Sequence, residues 1–325
     1  MEEVSIIGVG SYVPEKVVSN DELSKLVDTS DEWISTRTGI KQRRISEGET
    51  TSDMATKAAL RALEDSGVSA EEIDLIIVAT ITPDNFTPAT ACEVQARIGA
   101  VNASAFDISA ACSGYIYAMN VATQFIKTGQ NKTALVIASE VMSKILDWND
   151  RSTCVLFGDG AGAAVLKKSN AKGIISIYAG SDGRQGEALK CPATAVDNPY
   201  VKEKNIVNSV ITMDGREVFK FAGRIIVDSI AKVLEGTDYT LEDIKYIVPH
   251  QANLRIIDYA AKKLGLKENK FYVNIHDYAN TSAASIAIAL DEMVKDGLLN
   301  AGDKIIAVGF GGGLTWGAVL IEWQK

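Results

Sequence analysis

The feature that most restricts what this chain can fold into is an internal echo. The acidic-then-apolar run at 72–78 returns at 242–248, with Ile73 and Ile244 separated by 171 residues. Cys112 and the helical pattern after it return as Asn280 and its helix, 168 residues on. The run Leu135-Val136-Ile137 returns as Ile305-Ile306-Ala307 at an offset of 170. Three near-equal offsets in one order are the mark of a duplicated α/β unit. The 325-residue chain then divides into halves at 1–170 and 171–325, a length that suits one large doubled domain or two. A doubled fold brings corresponding strand ends together near its pseudo-twofold axis. Cys112, Asn280 and the end of the 244–248 strand are therefore expected around one cavity.

Hydrophobic periodicity supplies the elements. Strands are expected at 4–9, 73–80, 134–139, 244–248, 271–275, 305–308 and 318–322, and helices at 51–66, 93–98, 115–127, 216–234, 254–264 and 281–295. The apolar run before Cys112 reads as a further buried strand. Capping sequences stand at Ser19 and at 28–34, the second followed by a polar loop at 37–40. The irregular stretch 190–208, with Pro192 and Pro199, reads as a connector. Nearly continuous apolar strands such as 73–80 call for a sheet covered on both faces.

Cys112 falls where a strand turns into a helix. The partial positive charge of a helix N-terminus favours thiolate over thiol there. Ala110, Ala111, Ser113 and Gly114 leave room for a carbonyl to approach the sulfur. The plainer alternative is a small buried hydrophobe, a common fate for free cysteine. Only two histidines are present. His250 follows a buried strand, at the end where α/β sheets place ligands, whereas His276 reads as a loop residue.

Composition removes other classes. A formal charge of −9 and a pI near 5.0 give no overall basic field for nucleic acid. The four cysteines show neither CxxC pairing nor a dense framework, so no metal site and no disulfide scaffold is indicated. No signal peptide opens the chain and no apolar run reaches the roughly 18 residues of a membrane span. A reduced cytoplasmic setting is expected. Gly158-Asp159-Gly160-Ala161-Gly162 lacks the full dinucleotide pattern, and Gly311-Gly312-Gly313 has no Lys-Ser/Thr after it. Both read as close backbone approaches around a buried site.

Three motifs, Ala111-Cys112-Ser113-Gly114, Pro249-His250-Gln251-Ala252-Asn253 and Asn280-Thr281-Ser282-Ala283-Ala284-Ser285, resemble the Cys, His and Asn motifs of the β-ketoacyl-acyl-carrier-protein synthase III family. Further stretches at 28–40, 157–164 and 310–317 are similar too, so the resemblance runs over essentially the whole chain. It implies a thiolase fold, with duplicated α/β halves in an αβαβα layering. It implies an acyltransferase that initiates fatty-acid synthesis by a decarboxylative Claisen condensation of a short acyl-CoA with malonyl-ACP. In that reaction Cys112 is acylated, and His250 and Asn280 bind the malonyl thioester oxygen. The amides of Cys112 and Gly312 form an oxyanion hole, and Phe310 lines the decarboxylation site or is simply a core aromatic. No bound cofactor is implied. The family usually carries Gly before this Asn, where Ala279 stands here; if that position needs a positive φ, Ala costs ~1 kcal/mol or more.

The resemblance also assigns coenzyme A contacts to Thr29, Trp33, Arg37, Arg151, Phe219, Ala252 and Asn253. Trp33 and the two arginines otherwise read as a packing aromatic and surface ion pairs. Gln251, Ala252, Asn253, Leu254 and Arg255 correspond to the segment that docks the acyl carrier protein, and Lys262 and Lys263 extend its positive face. Phe86, Met142 and Phe157 are expected around the acyl pocket. A homodimer joined through its central sheets is implied. Two other readings use the same residues. A cysteine hydrolase with a Cys-His-Asn arrangement would release free acid from acyl-CoA and ignore malonyl-ACP. A non-catalytic relative would only bind acyl carriers.

Overall fold

Leu75, Ile77 and Ala79 face one hydrophobic core, while Ile76 and Val78 face another. Successive side chains of a strand point opposite ways, so this strand is covered on both sides. The computed structural model describes residues 2–202 and 208–325. Its first sheet contains β1 (Glu3–Tyr12), β2 (Leu75–Ala79), β3 (Ser104–Ile108), β4 (Thr133–Glu140) and β5 (Gly160–Ser169). Their order is β1-β5-β4-β2-β3, with β2 parallel to β3 and β4, and β5 antiparallel to β1 and β4.

The second sheet contains β6 (Ile174–Ser181), β7 (Ile244–Pro249), β8 (Lys304–Gly311) and β9 (Thr315–Glu322), in the order β7-β8-β9-β6. The parallel pair β7/β8 and the antiparallel pairs β8/β9 and β9/β6 repeat the pairing of β2/β4, β4/β5 and β5/β1. The counterpart of β3 is reduced to one parallel bridge between Ile247 and Phe271.

Helices fill three layers. α1 (Asp31–Thr38), α2 (Thr51–Ser66), α3 (Thr90–Ile98) and α4 (Gly114–Lys127) belong to the first half. α5 (Gly215–Leu234), α6 (Leu254–Leu264) and α7 (Ala284–Lys295) belong to the second. The outer cores bury α2 and α3 against the first sheet, and α5 and α6 against the second. α4 and α7 lie in the core between the sheets. α7 is buried from Ala284 through Asp291, as a helix enclosed on all sides must be. Gly162 permits its close approach: a Cβ there would fall 2.5 Å from the Ala287 Cβ. The layering is αβαβα, the duplicated thiolase arrangement.

Several expectations are corrected. β3 is not buried; it is the sheet edge, paired only with β2, and Phe106 and Ile108 stay half-exposed. Residues 37–38 belong to α1, which ends on Gly39 at φ 81°. The run 271–275 forms no strand beyond the Phe271 bridge, and its last residue opens a short helical turn, Ile275–Tyr278. α7 begins at Ala284, not 281, so Asn280 does not cap it. The irregular stretch, of which 203–207 lie outside the described residues, does not join the sheets, because β6 of the second sheet precedes it.

Ala279 has φ 54° and ψ −157°, a region that only glycine enters freely. Ala279→Gly is expected to raise the stability by ~1 kcal/mol, the strain released exceeding the chain entropy that glycine adds. Urea denaturation measures it, and an unchanged or lower midpoint refutes the strain.

Candidate active site

Cys112 sits on a tight turn, Ala111–Ser113, between β3 and α4. Ala111 takes φ 46°, unusual for a residue with a side chain. Gly311 at the end of β8 presses on this turn; a Cβ there would fall 2.5 Å from the Cys112 nitrogen. His250 follows β7, and its amide donates to the Val308 carbonyl at 2.7 Å. Asn280 lies between the Ile275–Tyr278 turn and α7. Its amide donates to the Leu156 carbonyl at 2.9 Å, and its carbonyl accepts from the Gly158 amide at 3.0 Å. Gly158 also meets the Tyr278 carbonyl, where a Cβ would fall at 2.5 Å, so the glycine-rich stretch is a close backbone approach.

Cys112, His250 and Asn280 line one cavity of about 820 Å³. The shared hollow expected from the duplication is present. The side chains are oriented by neighbours the sequence reading passed over. Ser285 Oγ lies 2.7 Å from His250 Nδ1 and accepts from the Gln251 amide at 3.4 Å. Its own hydrogen is then available for Nδ1, which places the ring hydrogen on Nε2. Asn280 Oδ1 accepts from the Ser282 amide at 2.8 Å, leaving Nδ2 as the free end of the carboxamide. The site thus offers two neutral donors. Asn280 does not orient His250, as the polar partner in a Cys-His-Asn hydrolase triad would.

Burial dominates the electrostatics. His250 is 2% exposed, and burial lowers its pKa to about 3, so the ring is neutral at physiological pH. Burial likewise pushes the Cys112 thiol up to about 12, despite a lowering hydrogen bond from Ser282. The helix-start field expected to favour thiolate is outweighed, because the sulfur is buried on the turn that leads into α4.

Other assigned residues fall into three groups. Gly312, Phe310, Phe219, Ala252 and Asn253 line the cavity, and Asn253 also caps α6 through Oδ1 to the Arg255 amide at 2.9 Å. The Phe310 ring stands 5.3 Å from the His250 ring and also packs in the outer core. Trp33 and Arg37 line the mouth; Arg37 and Arg151 lie 4.6 and 5.3 Å from the Trp33 ring centroid. Met142 and Phe157 are buried with Leu146 and Ile211 along one wall, whereas Phe86 is 87% exposed at the rim.

Thr29, Arg151, Gln251, Leu254 and Arg255 do not line the cavity. Gln251 is withdrawn from the surface: its Nε2 donates to the Pro249 and Tyr272 carbonyls and its Oε1 accepts from the Asn274 amide. It braces the turn from within and presents nothing to a partner. Arg255, Lys262 and Lys263 are exposed, without an ion pair among the described residues. His276 pairs with Asp277 at 3.0 Å, away from the cavity.

Two buried sheets around one cysteine, with a neutral imidazole and a carboxamide supplied by the second half, define a condensing enzyme of the thiolase fold. Residues 106–183 and 234–323 match the families described as 3-oxoacyl-[acyl-carrier-protein] synthase III and its C-terminal part. The chain is 61% identical over 325 residues to the β-ketoacyl-[acyl-carrier-protein] synthase III of Clostridium acetobutylicum, covering all of both chains. The Clostridium novyi relative is 60% identical over 324 residues, again at full coverage. A 3-oxoacyl-[acyl-carrier-protein] synthase III structure from Aquifex aeolicus superposes with a TM-score of 0.92 at 50% identity, covering 98% of this chain and 100% of that one. The priming β-ketosynthase of the R1128 polyketide pathway superposes with a TM-score of 0.94 at 39% identity, covering 100% of this chain and 97% of that one. The chain belongs to the β-ketoacyl-[acyl-carrier-protein] synthase III family. It is an acyltransferase-type condensing enzyme of fatty-acid synthesis.

The His250 shift carries a stability consequence. Below pH 6.5 the unfolded chain takes a proton that the native ring refuses until about pH 3, so this residue removes stability as the pH falls through that window. His250→Asn is expected to lose less stability between pH 6 and 4 than the parent, by up to ~1.4 kcal/mol per pH unit. Urea denaturation at several pH values measures it, and parallel curves refute a neutral buried ring.

Proposed function

We propose that the enzyme initiates chain growth in two stages through an acyl-Cys112 intermediate. A short acyl-CoA acylates Cys112, the thiol proton leaving with the coenzyme A sulfur as the new thioester forms. Malonyl-ACP then enters and loses carbon dioxide, and its carbanion attacks the acyl carbonyl to give 3-oxoacyl-ACP, expelling the Cys112 sulfur as thiolate, which regains a proton from solvent. His250 Nε2 and Asn280 Nδ2 stabilise the negative charge that decarboxylation builds on the thioester oxygen. The amides of Cys112 and Gly312 stabilise the oxyanion of acyl transfer, with Phe310 walling the decarboxylation site. The observation that carries this reading is the convergence of a buried thiol and two neutral donors on one cavity. Nothing in this chemistry calls on a bound cofactor.

Trp33, Arg37 and Arg151 suit the adenine and phosphates of coenzyme A, because guanidinium planes stack on rings and pair with phosphate. Thr29 joins them on the family resemblance alone, and Phe219, Ala252 and Asn253, which line the cavity, suit the pantetheine path. Leu254, Arg255, Lys262 and Lys263 form the carrier-docking face on α6, which supplies local positive charge on an acidic protein. Met142 and Phe157, with Phe86 at the rim, bound the acyl group. The half-exposed edge strand β3 and the exposed Phe86 support a homodimer, since an uncovered sheet edge invites pairing. A cytoplasmic location and a division of the chain near residue 170 complete the reading. The matching strand orders of the two sheets support that division.

Mass spectrometry with acetyl-CoA tests the reading. An acyl adduct is expected on Cys112, cleared on adding malonyl-ACP as 3-ketoacyl-ACP appears. Cys112→Ser should abolish it, and acylation elsewhere in that variant would overturn the assignment. Gly311→Ala should slow acylation on the order of 10²-fold, because its Cβ displaces the Cys112 amide and removes one oxyanion donor. Unchanged acylation would place the oxyanion elsewhere.

A further inference from the structure

The mechanism above makes no use of Glu140, the fully buried carboxyl that closes β4. Four donors converge on it. Thr80 Oγ1 and the Ile81 amide reach Oε2 at 3.1 Å, and Thr82 Oγ1 reaches the same oxygen. Ser282 Oγ, from the second half, reaches Oε1 at 3.1 Å. Thr80, Thr82 and Ser282 all line the catalytic cavity. None of the four donors is a cation. Lys144, on the turn after β4, is engaged by the Thr82 carbonyl at 2.6 Å and by Asp84 at 3.6 Å. Asp159 beyond it is held by Ser46 and Ser143. Burial lifts the Glu140 pKa to about 7.

Ser282 is the link to the nucleophile. It is wholly buried at φ 51°, and its amide already holds Asn280 Oδ1. Its hydroxyl donates to Glu140 Oε1 at 3.1 Å, and the same hydroxyl can turn to the Cys112 thiol, whose pKa it lowers. A hydrogen given to the sulfur favours thiolate, and a negative Glu140 opposes it.

We propose that Glu140 is a positioning residue that sets, through the Ser282 hydroxyl, how readily Cys112 gives up its proton. When the carboxyl is protonated, Oε1 donates to Ser282 Oγ and the Ser282 hydrogen turns to the sulfur. When it is ionised, that hydrogen turns back to Oε1, and the carboxylate resists a second negative charge nearby. The carboxyl proton is a spectator; the thiol proton still leaves with the coenzyme A sulfur. His250, which lines the same cavity, stays neutral throughout. The inference rests on Cys112 as the acylated residue.

Glu140→Gln imitates the protonated state, its amide oxygen serving Thr80, Thr82 and Ile81 and its NH2 facing Ser282. Iodoacetamide labelling of the Cys112 peptide, followed by mass spectrometry from pH 5.5 to 9.5, reads the outcome. The parent rate should rise with pH but flatten near pH 7, as Glu140 ionises. Glu140→Gln should lose the flattening and react about threefold faster at pH 8, because a thiol pKa one unit lower gives tenfold more thiolate of weaker nucleophilicity. In a Ser282→Ala background the Gln substitution should accelerate labelling less. Superimposable profiles for the parent and Glu140→Gln, or equal acceleration in both backgrounds, would overturn the proposal. If Glu140→Gln does not fold, Ser282→Ala alone decides: its flattening near pH 7 must shrink. Acetyl-CoA labelling at a residue other than Cys112 would instead sink the reading beneath it.

Discussion

The structure depends on the close packing of two small-residue helix starts between two sheets. Gly114 at the head of α4 lies against Ala79 of β2 and Ala283 before α7; a Cβ there would meet their Cβ atoms at 3.0 and 3.5 Å. Gly162 does the same for α7, and Gly311 for the Cys112 turn. Larger residues at any of these points would push the halves apart. The apolar faces then close around them: Ile116, Met119 and Ile126 from α4, and Ile286, Leu290 and Met293 from α7, all bury in one core. Each such side chain contributes ~1.5–3 kcal/mol on burial, so this interior holds the cavity walls far more rigidly than any surface contact could. That rigidity is what keeps the Cys112 thiol of one half in register with the His250 and Asn280 side chains of the other.

The same burial that holds the site also strips it of charge. In the free enzyme the thiol keeps its proton, and the imidazole does not gain one. Glu140 alone stands near its midpoint. Uncharged groups at Cys112, His250 and Asn280 bind a neutral thioester no more tightly than hydrogen bonding allows. Neutral donors of this kind gain strength only as charge develops on an oxygen they face, in a medium of low dielectric where such contacts are strong. Preorganisation is local: Ser285 fixes the ring, and the Ser282 amide fixes the carboxamide.

Much of this was legible in the sequence, for identifiable reasons. Apolar runs such as 73–80 and 305–308 announce doubly covered strands because nearly every residue is apolar there. The helices at Thr51–Ser66 and Leu254–Leu264 carry both a cap and a terminal glycine, and their bounds follow directly. The repeat offsets placed Cys112 and Asn280 opposite one another because duplication preserves topology. What was not legible depends on contacts between distant segments. β3 reads as buried because its composition is that of a core strand, and only the strand order exposes it. Gln251 looks like a surface polar residue until Pro249, Tyr272 and Asn274 are seen to take up its amide. Glu140 and Ser282, 142 positions apart, carry no mutual signal in sequence. Ala279 was flagged only through the glycine expected there, and its positive φ gives that expectation a cause.

The two halves keep one framework yet divide the chemistry, and the division follows from what each helix start can hold. The first places its residue on a turn with Ala111 at positive φ, which thrusts a short side chain into the cavity beside the Cys112 amide. A sulfur suits that place, because it must be reached by a carbonyl. The second enters α7 through a longer turn, with Ala279 and Ser282 both at positive φ. That turn lets the Asn280 carboxamide fold back on the Ser282 amide and present a nitrogen instead of an acceptor. An asparagine at the first position would have no such amide to bind its oxygen. A cysteine at the second would have no Gly311 approach behind its backbone. The duplication supplies two equivalent places, and the local backbone at each determines whether a thiol or a carboxamide nitrogen faces the cavity.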